Sequence, residues 1–232
     1  MDATENSLLG VGIYGISEAA RLTAIPPARL RRWVRGYSFK KRDGNTSQSP
    51  PVVSRQLPAL DGVVALGFLD LIEVRVVDAM LTRTISWQTI RQAHCNAARI
   101  FRTSHPFATR RFQTDGRSIF ADVASESDDE ALLDVAETQF AFRRFLKPYL
   151  ENIEFDKAAI AARWRPMGPK RSVVLDPQRS FGQPIVDREG VPTSVIAQAY
   201  LTEGSERAVA RWYGIQIKSV RDALAFEKQL AA

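Results

Sequence analysis

Apolar positions recur at helical spacing through most of the chain and alternate only in short stretches. Near the N-terminus, Ser17 is suited to cap a helix, with Glu18 in its first turn and Ala19, Ala20 and Leu22 as helix formers. Thr23-Ala24-Ile25 makes a short break. Pro26 and Pro27 then open a second helix, where a missing N–H costs nothing, and it runs to about Arg35 before Gly36 at the C-terminal cap. Helical geometry places Leu30, Trp33 and Val34 on one face, Ala28, Arg31, Arg32 and Arg35 on the other, and Arg29 on the boundary. Two short helices across a tight turn, the second apolar within and arginine-rich without, predict a helix-turn-helix whose second helix enters a DNA major groove.

Tyr37 to Arg42 begins with strand-like alternation, and Asp43-Gly44-Asn45 is a turn signal. Thr46 to Pro51 reads as a polar loop before Val52-Val53 returns as a strand, so the segment predicts a wing tipped by Lys40, Lys41 and Arg42. Leu60 to Leu81 reads as one amphipathic helix carrying Leu69, Ile72, Val76 and Ala79. Ser86 caps another, Trp87 to Phe101, with Ile90, Ala93, Ala97 and Ile100 inward. These helices pack either on the helix-turn-helix or on a twin subunit. Phe107–Phe112 and Ser118–Val123, joined at Asp115-Gly116, predict a β-hairpin. The acidic stretch Ser125 to Glu130 leads into a helix from Ala131 to Tyr149, stopped near Lys147-Pro148. Strands are expected between Ile153 and Trp164 and at Val173–Leu175.

Beyond the linker Pro166–Pro169, Phe181 to Val186 reads as a turn and strand, and three helices follow. Thr193 or Ser194 caps the first, which carries Ile196 and Tyr200. Ser205 caps the second, with Ala208, Val209 and Trp212 inward, and Gly214 turns the chain into the third, with Ile217, Val220 and Leu224. The spacing is again that of a helix-turn-helix. The expected fold is mainly α with small β-hairpins (α+β). A winged helix-turn-helix domain with long helices spans 1–125, a connecting segment 126–168, and a homeodomain-like helical module 169–232.

Charge sharpens this picture. Residues 21–55 hold nine Lys or Arg against one acid, Asp43, within a chain of net charge +6. Basicity focused in one small region is the footprint of a phosphate-binding surface. Arginine can bridge guanine O6 and N7 or hold phosphates, and the sequence does not apportion these roles among the arginines. The outward residues of the last three helices are mixed in sign (Glu206, Arg207, Arg211, Lys218, Arg221, Asp222), which suits a protein contact better than DNA. His94 and His105 have no cysteine or carboxylate at ligand spacing, so no metal and no cofactor is expected, and both histidines read as packed or surface side chains. A lone cysteine, Cys95, reads as a buried thiol and suits a reducing cytoplasm. No apolar run approaches the roughly 20 residues that span a bilayer, so no membrane partner is expected. Nor is there a Gly-rich phosphate loop, a nucleophile near a base, or carboxylates at catalytic spacing, so no enzyme is expected.

Tyr14 to Leu22 and Leu30 to Trp33 resemble the start of MerR-like winged helix-turn-helix domains, and Asp176 to Leu224 resembles the small helical domain of antitoxins encoded beside PIN-like toxins. The combination is similar to a VapB-type antitoxin with an added N-terminal DNA-binding domain. The pattern departs from both families: Arg32-Trp33 replaces the paired tyrosines common in MerR-like proteins, and Val191-Pro192 after Gly190 lacks an arginine usual in the C-terminal family. The resemblance implies a cytoplasmic homodimer within a hetero-oligomer. It would bind its own operator and neutralise a PIN-like ribonuclease, with Arg207, Arg211 and Arg221 as candidates to meet that toxin's acidic site. A stand-alone MerR-like regulator answering to a small effector is the alternative.

Overall fold

The computed structural model describes residues 9–40, 44–59, 62–125 and 139–231, with side chains omitted at 139–141 and 143. The chain divides into a larger unit, Gly15–Glu151 with Phe155–Ala161, and a C-terminal unit, Met1–Tyr14 with Asn152–Glu154 and Ala162–Ala232. Both are built chiefly from helices with small antiparallel sheets, the mixed class that the patterning predicts.

The two-residue strand β1 (Tyr14–Gly15), at the boundary of the two units in sequence, leads into α1 (Ile16–Thr23) and α2 (Pro27–Arg35) of the larger unit. A hairpin of β2 (Tyr37–Lys40) and β3 (Thr46–Ser49) follows. Next come β4 (Ala65–Leu66), α3 (Phe68–Thr82) and α4 (Trp87–Phe101). A single 3-10 turn, Pro106–Ala108, precedes α5 (Arg110–Ser125), and α6 (Gln139–Leu150) closes the unit. The core centres on α3. Leu71, Ile72, Val74, Val76, Val77, Ala79 and Met80 are all buried there; beyond it Phe112, Phe120 and Phe142 pack edge to face, with Phe107 tilted against Phe112.

Several boundaries differ from expectation. The helix predicted from Leu60 begins at Phe68, because Gly67 holds the N-cap position and the Asp70 carboxylate reaches back to the Gly67 N–H at 2.8 Å. Gly15, not Ser17, precedes α1. The hairpin predicted over Phe107–Val123 is instead the helix α5, capped by Thr109, whose Oγ1 accepts from the Phe112 N–H at 3.2 Å. The buried set Phe112, Gly116, Ile119, Phe120 and Val123 has helical period, and burial of that face overrides the local Asp-Gly turn signal. Gly116 is used for space: a Cβ there would lie 2.7 Å from the Phe142 ring and 2.8 Å from Phe112. Pro148 lies inside the last turn of α6, which ends at Leu150, one residue beyond the expected Tyr149. Ile100 is 46% exposed and Cys95 is exposed, so neither takes the buried place expected of it. The acidic stretch 126–130 and the helix start at Ala131 lie outside the described residues.

Two histidines anchor α3. His105 Nε2 pairs with Asp70 Oδ1 at 2.8 Å, and His94 Nε2 with Glu73 Oε2 at 3.1 Å; all four residues are buried. The second Glu73 oxygen accepts from the Phe107 N–H at 3.0 Å, so both carboxylates satisfy backbone donors as well as imidazoles. Burial by itself would lower the His105 pKa. The Asp70 hydrogen bond, the charges of Glu73 and Asp70, and the Ser54 carbonyl outweigh it and raise the value above 6.5.

A sheet in the order β5 (Ile153–Phe155), β6 (Ala161–Trp164), β7 (Val173–Leu175), β8 (Pro184–Val186) lies in the C-terminal unit except for Phe155 and Ala161. The unit continues as α7 (Thr193–Glu203), α8 (Glu206–Tyr213) and α9 (Ile217–Ala231). Val186, Ile196, Val209, Ala210, Ile215, Val220 and Ala223 form its core. Ser205 caps α8 as expected, its Oγ accepting from the Ala208 N–H at 3.4 Å, whereas Pro192 holds the N-cap place of α7. Trp212 is 74% exposed and Ile217 is exposed, so α8 and α9 turn inward through Val209, Ala210, Val220 and Phe226 rather than through the predicted Trp212 and Ile217.

Candidate nucleic-acid interface

Helices α1 and α2 are joined by Ala24, Ile25 and Pro26. Ala24 adopts a left-handed φ of 58° that ends α1, and the buried Ile25 pins the turn to the core. Leu30, Trp33 and Val34 are buried on the inner face of α2, so the sequence itself forces Ala28, Arg31, Arg32 and Arg35 outward, and all four are exposed.

Gly36 then reverses the chain. Its φ of 73° lies in the left-handed region, and a Cβ there would lie 2.4 Å from the Ser49 carbonyl oxygen, so the wing closes tightly on the end of α2. The hairpin pairs Tyr37 with Ser49 and Lys40 with Thr46. The return strand is therefore Thr46–Ser49, a segment that composition marks as a loop. Val52 and Val53, expected as strand, are buried outside any strand, with the Val52 N–H bonded to the Trp33 carbonyl at 2.9 Å. Tyr37 and Phe39 are exposed, and Lys40 ends the described part of the strand; Lys41 and Arg42 lie outside the described residues.

The predicted cations are sorted by their partners. Arg29 Nη1 pairs with Asp78 of α3 at 3.1 Å. Arg35 Nη2 donates to the Gly62 carbonyl at 2.9 Å, and the Arg32 guanidinium lies 5.8 Å from the Tyr37 ring centroid. Arg31 is exposed beside them. One further arginine joins the group. Arg91 of α4 bonds Ser49 Oγ at 2.5 Å and the Pro50 carbonyl at 3.0 Å, fastening the wing to the helical scaffold. A signal for it exists in the sequence: Trp87 and Arg91 stand at i, i+4 on α4, off the apolar stripe.

In the C-terminal unit, Arg207 and Arg211 are exposed one turn apart on α8, and Arg221 of α9 pairs with Glu206 at 2.6 Å. The neighbouring cations are answered by acids. Arg165 bridges Glu154 and Asp187, and Arg171 pairs with the buried Asp222 at 2.7 Å. Burial by itself would raise the Asp187 pKa. The Arg165 hydrogen bond and the charges of Arg165, Arg163 and Arg179 hold it below the usual carboxylate value instead. Among the described residues, no group of His, Cys, Asp and Glu is placed to hold a metal ion, and no helix is long and apolar enough to cross a membrane.

Residues 12–94 match the family model described as "Putative DNA-binding HTH domain". The chain is similar to a Mycobacterium tuberculosis protein named "Putative antitoxin VapB45", with 29% identity over 92% of this chain and 93% of that protein. The crystal structure of Rv2018 from Mycobacterium tuberculosis has the same fold, with a TM-score of 0.70 and 26% identity, covering 93% of this chain and 99% of that one. The chain thus resembles a VapB-type antitoxin that carries an N-terminal helix-turn-helix domain.

Proposed function

We propose that this protein is a DNA-binding antitoxin. As a homodimer in the cytoplasm it represses its own operon, and within a hetero-oligomer it neutralises a PIN-like ribonuclease. The observation that carries the DNA reading is the outward arginine set of α2, held beside an exposed wing strand by a helix whose opposite face is wholly buried. Arg31, Arg32 and Arg35 meet base edges and phosphates in the major groove, and Arg29, Lys40, Lys41 and Arg42 hold flanking phosphates. The similarity to an antitoxin along nearly the whole chain supports the second half of the reading. Arg207, Arg211 and Arg221 meet the carboxylates of the toxin's metal site, and Trp212 stands exposed beside Arg211 as an aromatic anchor of the kind that dominates interfaces. The role is regulatory, and no step of it requires catalysis by this chain.

Fluorescence anisotropy with the DNA upstream of its own gene tests the first half. Replacing Arg31, Arg32 and Arg35 together with Ala should abolish specific binding and flatten the log–log salt dependence by about one for each phosphate no longer held. Unchanged affinity would move the DNA surface elsewhere. Co-expression with the product of the adjacent gene tests the second half: the pair should co-purify and cell growth should be protected. Replacing Arg207, Arg211 and Arg221 with Ala should lose both effects while DNA binding persists.

A further inference from the structure

One flank of α2 borders the recognition face and shares Arg32 with it. There, between α2, the first wing strand and the corner joining α3 to α4, lies a cleft of about 370 Å³. Arg29, Arg32, Trp33, Tyr37, Trp87 and Arg91 line it; of these arginines Arg29 is paired with the Asp78 carboxylate at 3.1 Å, while Arg32 and Arg91 meet aromatic or neutral partners. Arg29 stands on this flank and Arg32 at the edge between it and the outward face shared with Arg31 and Arg35.

Arg91 is held at the rear with its Nη2 bonded to Ser49 and Pro50, while its Nε is buried without a hydrogen-bond partner. That N–H lies beneath the surface, so an acid in the cleft would meet the charge of the guanidinium rather than the N–H itself. The walls are aromatic. Trp33 and Trp87 meet edge to face at 5.5 Å, the Arg91 guanidinium lies 6.0 Å from the Trp87 centroid, and Arg32 lies 5.8 Å from that of Tyr37. A site with converging guanidinium donors and π walls suits a flat ring bearing a negative group: the ring lies against Trp and Tyr while the acid meets the arginines.

We infer that this cleft is a binding site for a small aromatic carboxylate. A phosphate of the DNA backbone offers the same charge but no ring, and it would leave the aromatic walls unused. Occupancy draws on Arg32 and Tyr37, one from the recognition helix and one from the wing, so a bound acid also changes the surface offered to DNA. The site itself does not depend on the antitoxin reading, and its test needs no DNA.

Isothermal titration of the full chain with 2-naphthoate, 2-naphthamide and inorganic phosphate separates the cases. The expected result is one saturable site for 2-naphthoate with a dissociation constant below about 1 mM. The neutral amide should bind at least about tenfold more weakly, and phosphate should give no saturable binding. Arg91→Gln should weaken 2-naphthoate at least about tenfold, with circular dichroism confirming the fold. Arg29→Gln, which does not touch the wing anchor, should weaken it in the same direction and serves if Arg91→Gln fails to fold. Absence of saturable 2-naphthoate binding, equal binding of the amide, or insensitivity to the arginine variants overturns the inference. Phosphate binding as tight as that of 2-naphthoate also overturns it and assigns the cleft to the DNA backbone.

Discussion

Replacing Asp78 with Asn should tighten DNA binding. Asp78 lies on α3, outside the recognition helix, yet its carboxylate holds Arg29 at 3.1 Å and so neutralises one of the cations that α2 brings to the surface. The Arg29 side chain is 49% exposed and that of Asp78 20%, so the pair sits in water-like surroundings and contributes at most about 1 kcal/mol to stability. Removing the carboxyl charge therefore leaves the fold intact and releases one guanidinium. Each phosphate neutralised on B-DNA adds about 0.9 to the slope of log K against log salt. Relative to 1 M, at about 0.15 M salt one added phosphate amounts to about fivefold in affinity, or about 1 kcal/mol. Anisotropy titrations at four or five salt concentrations give both slope and affinity. Arg29→Ala should have a small effect alone and should erase the gain when combined with Asp78→Asn, which is the coupling a double-mutant cycle isolates. If Asp78→Asn leaves slope and affinity unchanged in a folded protein, Arg29 does not reach phosphate.

Two further predictions concern the scaffold beneath the site. A His105 pKa above 6.5 means the folded chain holds a proton that the unfolded chain has already released. The resulting stability is complete below about pH 6.5 and is lost as pH rises through the folded value, at about 1.4 kcal/mol per unit of elevation. Urea denaturation at about pH 6 and about pH 9 should show this loss in the native sequence and a smaller one in His105→Asn; equal pH dependence would refute the assignment. Gly116→Val forces a side chain against the Phe112 and Phe142 rings and should cost about 1–3 kcal/mol by denaturation. A stability within about 0.5 kcal/mol of the native protein would show that α5 and α6 can part.

Where local chemistry and burial agree, the sequence is a faithful guide. The turn at Ala24, the proline start of α2, its inner triad and the Ser86 cap of α4 are all legible, because each uses neighbours within one or two turns. The arginine face follows from the buried one by geometry. Errors arise where distant partners decide. Asp115-Gly116 reads as a turn until Phe142, 26 residues on, needs the space above Gly116. Thr46–Ser49 looks like a loop until β2 supplies its register. His94 and His105 seem to lack carboxylates because Glu73 and Asp70 lie 21 and 35 residues away in sequence. Trp212 satisfies the helical period of an inner face, yet its neighbours Val209 and Ala210 fill the core instead.

The distribution of ion pairs bears on which unit reads DNA. Counting Lys and Arg alone favours neither half strongly, since the C-terminal unit is also rich in arginine. Coulomb energy depends on what stands beside each charge, and a cation already paired offers a phosphate little net field. In the C-terminal unit Arg163, Arg165, Arg171, Arg179 and Arg221 each meet a carboxylate within the fold. Among the described residues of α2, Arg29 forms such a pair, while Arg35 meets a neutral carbonyl and Arg32 an aromatic ring. Bonds of those last two kinds orient a guanidinium without cancelling its charge. The larger unit therefore keeps a positive field at its surface, and the C-terminal unit neutralises five of its eight arginines internally. Arg207 and Arg211 stand outside that internal network, on the same short helix as the exposed Trp212. A few cations around an aromatic side chain suit a compact acidic pocket on another protein better than the continuous charge of a duplex.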